Sequence, residues 1–205
     1  MTALFVQEKN SIFTVRMEDG AELSFRPDYI EDAVSSGAAG EDSGALLAAL
    51  KNGRPLEPDE EAALVFAGAC FEAEKAAVKL AARAEQCSAG LAVKLYQRGY
   101  KPAAAAAAIR RLKQSGAVND ARYAELWLDA RASRSATPPK KLLALIRAKG
   151  VDARTAGSAL RKVLSGGTEA ALLRRFLKGR SVKEAGGRAA LRCEGFSACA
   201  VEDAE

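Results

Sequence analysis

Apolar and polar residues alternate along the first two dozen positions. Leu4-Phe-Val, Ile12-Phe-Thr-Val-Arg-Met and Glu22-Leu-Ser-Phe carry the two-residue period of half-buried strands, and Asp19-Gly20 between the last two is a hairpin signal. The spacing predicts a small β-meander. Residues 35–44, Ser-Ser-Gly-Ala-Ala-Gly-Glu-Asp-Ser-Gly, predict a polar, flexible loop. A short helix from Ala45 to Lys51 should end at Asn52-Gly53, and Pro55 and Pro58 mark the entry into a helical region beginning near Asp59. From about residue 70 the apolar spacing is helical almost throughout.

Within that helical stretch three helix endings share one form: Leu95-x-x-Arg98-Gly99-Tyr100, Ile146-x-x-Lys149-Gly150-Val151 and Leu191-x-x-Glu194-Gly195-Phe196. A glycine just past a helix takes the left-handed conformation that closes it, and the next apolar residue packs back on the last turn. A new helix should follow each ending, opened by Pro102, Asp152 and Ser197. In the middle unit the helices are expected from Asp120 to about Arg134, from Pro138 to Lys149 and from about Asp152 to Leu164, with Asn119 and Thr137 capping the first two. Ser181-x-x-Glu184 reads as a capping box in the third. The expected fold is mainly α: three tandem three-helix repeats in a curved array with a small N-terminal β-meander appendage. The expected boundaries are 1–58 for the meander and loop, 59–116 for an entry helix and the first repeat, 117–165 for the second and 166–205 for the third.

Charge divides the chain. Residues 1–69 hold 5 Lys/Arg against 13 Asp/Glu, whereas residues 70–205 hold 26 against 13, so the helical part is the basic one and suits nucleic acid or an acidic protein surface. No apolar run reaches the ~18 residues of a membrane span and the N-terminus lacks a basic leader, which predicts a cytoplasmic protein without a membrane partner. The chain has no histidine and its 4 cysteines form no C-x-x-C pair, so Ser-His-Asp and Cys-His catalysis and mixed Cys/His zinc sites are excluded. Neither a Walker-type phosphate loop nor a dinucleotide-binding glycine motif occurs. A binding regulator without cofactor or metal is expected rather than an enzyme.

The basic residues sort by helix face. Between Pro138 and Lys149, Leu142, Leu145 and Ile146 form one stripe, while Lys140, Ala144 and Arg147 follow the same spacing on another, free to bind. Arg110, Arg111 and Lys113 close the preceding helix, where cations either complement the helix end or bind a partner. Tyr123, Trp127, Arg131 and Arg134 recur at three- or four-residue spacing; Trp127 is a core residue or a stacking platform.

Val118-Asn119-Asp120-Ala121-Arg122-Tyr123-Ala124-Glu125, with Arg131 and Arg134 further along, resembles the signature helix of the RecX family of recombinase regulators. Leu91-x-x-x-Leu95-x-x-Arg98-Gly99-Tyr100 and Lys141-Leu142-x-x-x-Ile146-x-x-Lys149-Gly150-Val151 are similar to the second helices of that family's first two repeats. The resemblance covers about residues 70–165 and extends more weakly to Phe196. The insertion at 35–44 and Gly179, Gly186 and Gly187 in the third repeat depart from the family pattern. The resemblance implies a monomer that binds the filament of a RecA-type recombinase in its helical groove, blocks extension or promotes disassembly, and so lowers ATP hydrolysis, strand exchange and SOS signalling. Lys140, Lys141, Arg147, Arg110, Arg111, Arg122, Arg131 and Arg134 are the expected contacts to the recombinase or to its single- or double-stranded DNA. The competing reading is a helical-repeat module that binds nucleic acid directly through phosphates.

Overall fold

A computed structural model describes residues 2–35, 43–165 and 167–204, and among them places three strands and eleven helices. The backbone packs as two units. The first gathers the chain up to Ala84 together with Leu91–Ala117; the second takes Glu85–Gly90 and the chain from Val118 onward.

The first unit opens with an antiparallel sheet of order β1 (Ala3–Lys9), β2 (Ile12–Met17), β3 (Glu22–Phe25). Alternation works as expected on β2, whose Phe13, Val15 and Met17 are buried while Arg16 is exposed. The Phe13 and Phe25 rings, paired across β2 and β3, stack with centroids 5.7 Å apart. Gly20 closes the predicted hairpin at φ 83°, and Asp19 Oδ1 accepts the Ala21 amide. The β1–β2 turn places Asn10 and Ser11 both at positive φ, the backbone twist a two-residue hairpin prefers.

Helix α1 (Pro27–Ser35), which the sequence pattern does not announce, buries Tyr29, Ile30 and Ala33. Ser35 ends it and α2 (Ser43–Asn52) takes in Ser43 and Gly44 of the expected glycine-rich loop, whose residues 36–42 lie outside the described residues. α3 (Pro58–Ala81) is a single 24-residue helix started by reciprocal Glu57 and Glu60 capping. It packs against α5 (Pro102–Gln114), whose Ala104 and Ala107 enter the same core as Phe13, Phe25, Leu64 and Phe71. The sheet is therefore built into one core with α3 and α5 and does not stand apart from them.

Inside this core Glu74 is 7% exposed. The Arg26 Nε donates to both its oxygens at 3.2 and 3.1 Å, the Tyr29 hydroxyl donates at 2.8 Å, and the Arg111 Nε lies at 3.6 Å. The carboxylate thus ties the β3–α1 corner to α3 and α5. Burial, followed by the hydrogen bond to Glu74, pushes the Tyr29 phenol well above its ordinary pKa. Burial likewise pushes the Cys70 thiol up to about 12, so Cys70 behaves as a small apolar residue.

In the second unit α6 (Asp120–Arg134), α7 (Pro139–Ala148) and α8 (Ala153–Leu164) pack on one another around Ala124, Leu128, Leu142, Ile146 and Ala156. The Asn119 side chain accepts the Ala121 and Arg122 amides, each at 3.0 Å, and Asp152 accepts that of Thr155. Removing the first cap, in Asn119→Ala, is expected to lower stability by about 1 kcal/mol, read as a shift of the urea midpoint without change of slope. α7 starts one residue later than expected: Pro138 is its cap and Pro139 its first residue, while Thr137 bonds Ser135 at 2.8 Å. A second proline at the first helical position is what moves the start, since there the missing N–H goes unneeded.

The chain continues through α9 (Thr168–Leu177), α10 (Gly187–Cys193) and α11 (Ala198–Glu202). Ser181 and Glu184 make the reciprocal capping bonds, but the helix they should start is a single turn. Gly186 and Gly187, at φ 95° and 83°, end it, and α10 starts at Gly187 with Gly186 as its cap. Ser197 caps α11 as expected and is itself gripped by Glu169 of α9 at 2.6 and 2.8 Å.

The three glycine endings have one geometry. Gly99, Gly150 and Gly195 sit at φ 85°, 90° and 92°, and Leu95, Ile146 and Leu191, four residues earlier, are at most 1% exposed. After α4 (Ser88–Tyr96) the Tyr100 amide reaches back to the Leu95 carbonyl at 3.2 Å, and after α10 the Phe196 amide does the same to Leu191 at 3.2 Å. Two of the endings also meet the start of another helix. The Lys149 carbonyl at the end of α7 accepts the Cys87 thiol, which precedes α4, at 3.2 Å, and the Glu194 carbonyl at the end of α10 accepts the Lys140 amide of α7 at 2.9 Å. A Cβ on Gly150 would lie 2.3 Å from the Ala89 Cβ, and one on Gly195 would lie 3.0 Å from the Lys140 nitrogen. At these two junctions the closing glycine meets the residues that open another helix, so glycine is required there by both torsion and space.

Candidate interaction surface

α7 has two chemically distinct faces. Leu142 and Ile146 are fully buried and Leu143 packs on the core, whereas Lys140, Lys141, Ala144 and Arg147 are exposed. The split follows from helical spacing, since residues three and four apart share a face. Among the described residues the side chains of Lys140, Lys141 and Arg147 form no ion pair, so the fold does not consume their charge.

On the neighbouring α6, Ala124, Leu128 and Ala132 point into the core and Tyr123 and Trp127 lie partly buried against it. The tryptophan is therefore a core residue. Burial raises the Tyr123 pKa. Arg131 and Arg134 are exposed at the C-terminal end of α6, where their charge also suits the helix dipole. Arg122 is engaged: its Nε and Nη2 lie 2.9 and 2.8 Å from Glu85 Oε1.

Arg110 and Arg111 belong to the other unit and are paired there. Arg110 lies 2.5 Å from Asp32, and Arg111 pairs with Asp28 and lies 3.6 Å from Glu74. Local pattern marks these arginines as exposed cations at a helix end, but their partners are 78 and 83 residues away in sequence, on the acidic α1. The only hint available in the sequence is the spacing of Asp28 and Asp32, which puts two carboxylates on one helical face. Of the eight candidates, Lys140, Lys141, Arg147, Arg131 and Arg134 lie on two mutually packed helices and have no ion-pair partner among the described residues. The structure commits Arg110, Arg111 and Arg122 to ion pairs.

Cys70 and Cys87 are buried, whereas Cys193 and Cys199 are exposed. Helix-borne cysteines usually act as small buried residues; Cys193 ends α10 and Cys199 lies in the first turn of α11, where the inward positions are taken by Leu191, Ala200 and Val201. Among the described residues no cluster of metal-ligating side chains occurs, and no helix is long and apolar enough to cross a membrane.

Solved structures share this mainly helical body with its small N-terminal sheet. A crystal structure of regulatory protein RecX aligns with a TM-score of 0.61 at 13% identity over 98% of both chains. RecX from Lactobacillus salivarius aligns at 0.50 and 19% identity, over 66% of this chain and 93% of that one. In sequence, the chain is 31% identical over 125 residues to regulatory protein RecX of Treponema pallidum (strain Nichols), covering 61% of this chain and 76% of that protein. It is 30% identical over 143 residues to regulatory protein RecX of Mycobacteroides abscessus, covering 68% and 67%. No protein-family model matches. The chain belongs to the RecX family of regulatory proteins.

Proposed function

We propose that this protein binds the filament of a RecA-type recombinase and restrains its assembly, its ATP hydrolysis and strand exchange, and with them DNA repair by recombination and the SOS response. α3 to α5, α6 to α8 and α9 to α11 are read as three successive three-helix repeats that present the binding surface. The observation that carries the reading is the exposed cationic face of α7 in a RecX-family chain: Lys140, Lys141 and Arg147 have no ion-pair partner among the described residues, while Leu142 and Ile146 on the same helix are fully buried. Arg131 and Arg134 extend that surface from α6, and the ion-paired Arg110, Arg111 and Arg122 serve the fold first. The protein acts as a monomer in the cytoplasm, with no catalytic group or cofactor.

Reversing Lys140 and Arg147 to glutamate should leave helicity unchanged and shift stability by no more than about 0.5 kcal/mol, because exposed charges contribute little to folding. The same variant should raise the concentration needed to inhibit recombinase ATPase by roughly tenfold. Inhibition by the unaltered protein should weaken as salt rises if phosphates are contacted. A folded double variant that inhibits as well as the parent would remove α7 from the surface. Direct phosphate binding without recombinase is the second reading favoured by the same cations, and the two separate on whether recombinase is required.

A further inference from the structure

Unit two is basic overall, yet it holds one groove whose lining carries as many carboxylates as cations. A cavity of about 400 Å³ runs along the outer side of α6 and α8 to the start of α9, lined by Arg122, Glu125, Leu126, Asp129, Lys162 and Val163 among others. Arg122, Glu125, Leu126 and Asp129 are spaced i, i+3, i+4, i+7, which sets them in one row on α6. Leu126 is 55% exposed, although Ala124 and Leu128 on the same helix are completely buried. It is the only large apolar side chain in the second unit, among the described residues, that is exposed to this degree.

The two cations and two carboxylates that line the groove do not pair off with one another one to one. Lys162 Nζ lies 2.6 Å from Glu125, and Arg122 is held by Glu85. Asp129 is exposed and has no cation within ion-pair distance among the described residues. What remains is an apolar floor of Leu126 and Val163 with one unmatched carboxylate a helical turn from Leu126. Such a surface suits an aliphatic side chain followed by a cation. At about 400 Å³ it is near the small end of ligand sites, room for one or two side chains of a docked segment.

We propose that the α6–α8 groove docks a segment of the protein partner, an aliphatic side chain seating on Leu126 and Val163 while an adjoining lysine or arginine pairs with Asp129. The inference rests on the proposed function, which supplies the partner, and adds a protein-reading surface distinct from the cations of α7. Both side chains are exposed, so Leu126→Glu with Asp129→Lys should fold, which circular dichroism checks; Leu126→Ala and Asp129→Asn taken singly provide milder forms.

The test is binding of the fluorescently labelled full chain to recombinase filaments formed on single-stranded DNA, titrated at several salt concentrations. The double variant should lose at least about tenfold in affinity and each single variant part of that, with Leu126→Ala keeping the parent's dependence of log K on log salt because it removes no charge. Parent-like affinity in the folded double variant overturns the groove while leaving the functional reading intact. A reduced salt slope in Leu126→Ala also overturns it, because the side chain would then not be making an apolar contact. Failure of the parent chain itself to bind filaments overturns the functional reading and the groove together.

Discussion

Gly150→Ala should destabilise the protein by about 2–5 kcal/mol, well beyond the roughly 1 kcal/mol that separates glycine from alanine inside a helix. Two costs combine. At φ 90° any L-residue is strained by about 1–2 kcal/mol, and the new Cβ would stand 2.3 Å from the Ala89 Cβ, forcing the end of α7 away from the start of α4 at a further 1–3 kcal/mol typical of overpacking. Gly99 isolates the first cost. It has nearly the same torsion, φ 85°, but a Cβ there would meet nothing within 4 Å, so Gly99→Ala should cost only the torsional part. Urea unfolding of both variants measures the difference. Equal losses would mean that the α7–α4 junction is loose and that glycine is needed there for torsion alone.

Glu74→Ala should cost about 3 kcal/mol. The substitution leaves the buried Tyr29 hydroxyl without its acceptor and strips Arg26 and Arg111 of a shared counter-charge. Removing one partner of a buried ion pair costs about 3–5 kcal/mol, and the lower end applies because the two guanidinium side chains retain 20% and 29% exposure. Glu74→Gln keeps an acceptor for Tyr29 and should lose less. A loss below about 1 kcal/mol in Glu74→Ala would show that water reaches the site and that the network does not brace the first unit.

These two residues also show how far local pattern reaches. Gly150 is legible because a helix ending is a short-range event: the buried residue four positions earlier, the glycine and the returning apolar residue are contiguous, and they recur at Gly99 and Gly195. The caps at Asn119, Asp152 and Ser197 are legible for the same reason. Glu74 is not, since a carboxylate in the middle of a 24-residue helix reads as part of a solvated face until Arg26 and Tyr29 are brought to it from 48 and 45 residues away. α1 escapes because only Tyr29, Ile30 and Ala33 mark its buried side, too few turns to display a period. The Ser181–Glu184 capping box forms as its spacing predicts, but Gly186 and Gly187 break the chain direction directly behind it.

The candidate surface divides in the same way. On α7 the separation of Lys140 and Arg147 from Leu142 and Ile146 is a property of one helix, and the structure keeps it. Whether a cation is free or spent depends on long-range partners, and there the periodic pattern is silent: Arg110 and Arg111 are claimed by α1 and Arg122 by Glu85. The α6–α8 groove needs both helices side by side before Leu126 and Asp129 stand out from an ordinary solvated face.

The most direct measurement is co-sedimentation of the full chain with a RecA-type recombinase, ATP and single-stranded DNA, compared with the same mixture lacking the recombinase and with DNA omitted. A filament regulator should pellet with assembled filaments and be depleted from the supernatant far more than with DNA alone. Equal retention on DNA with and without recombinase, or no retention on filaments, would contradict that function.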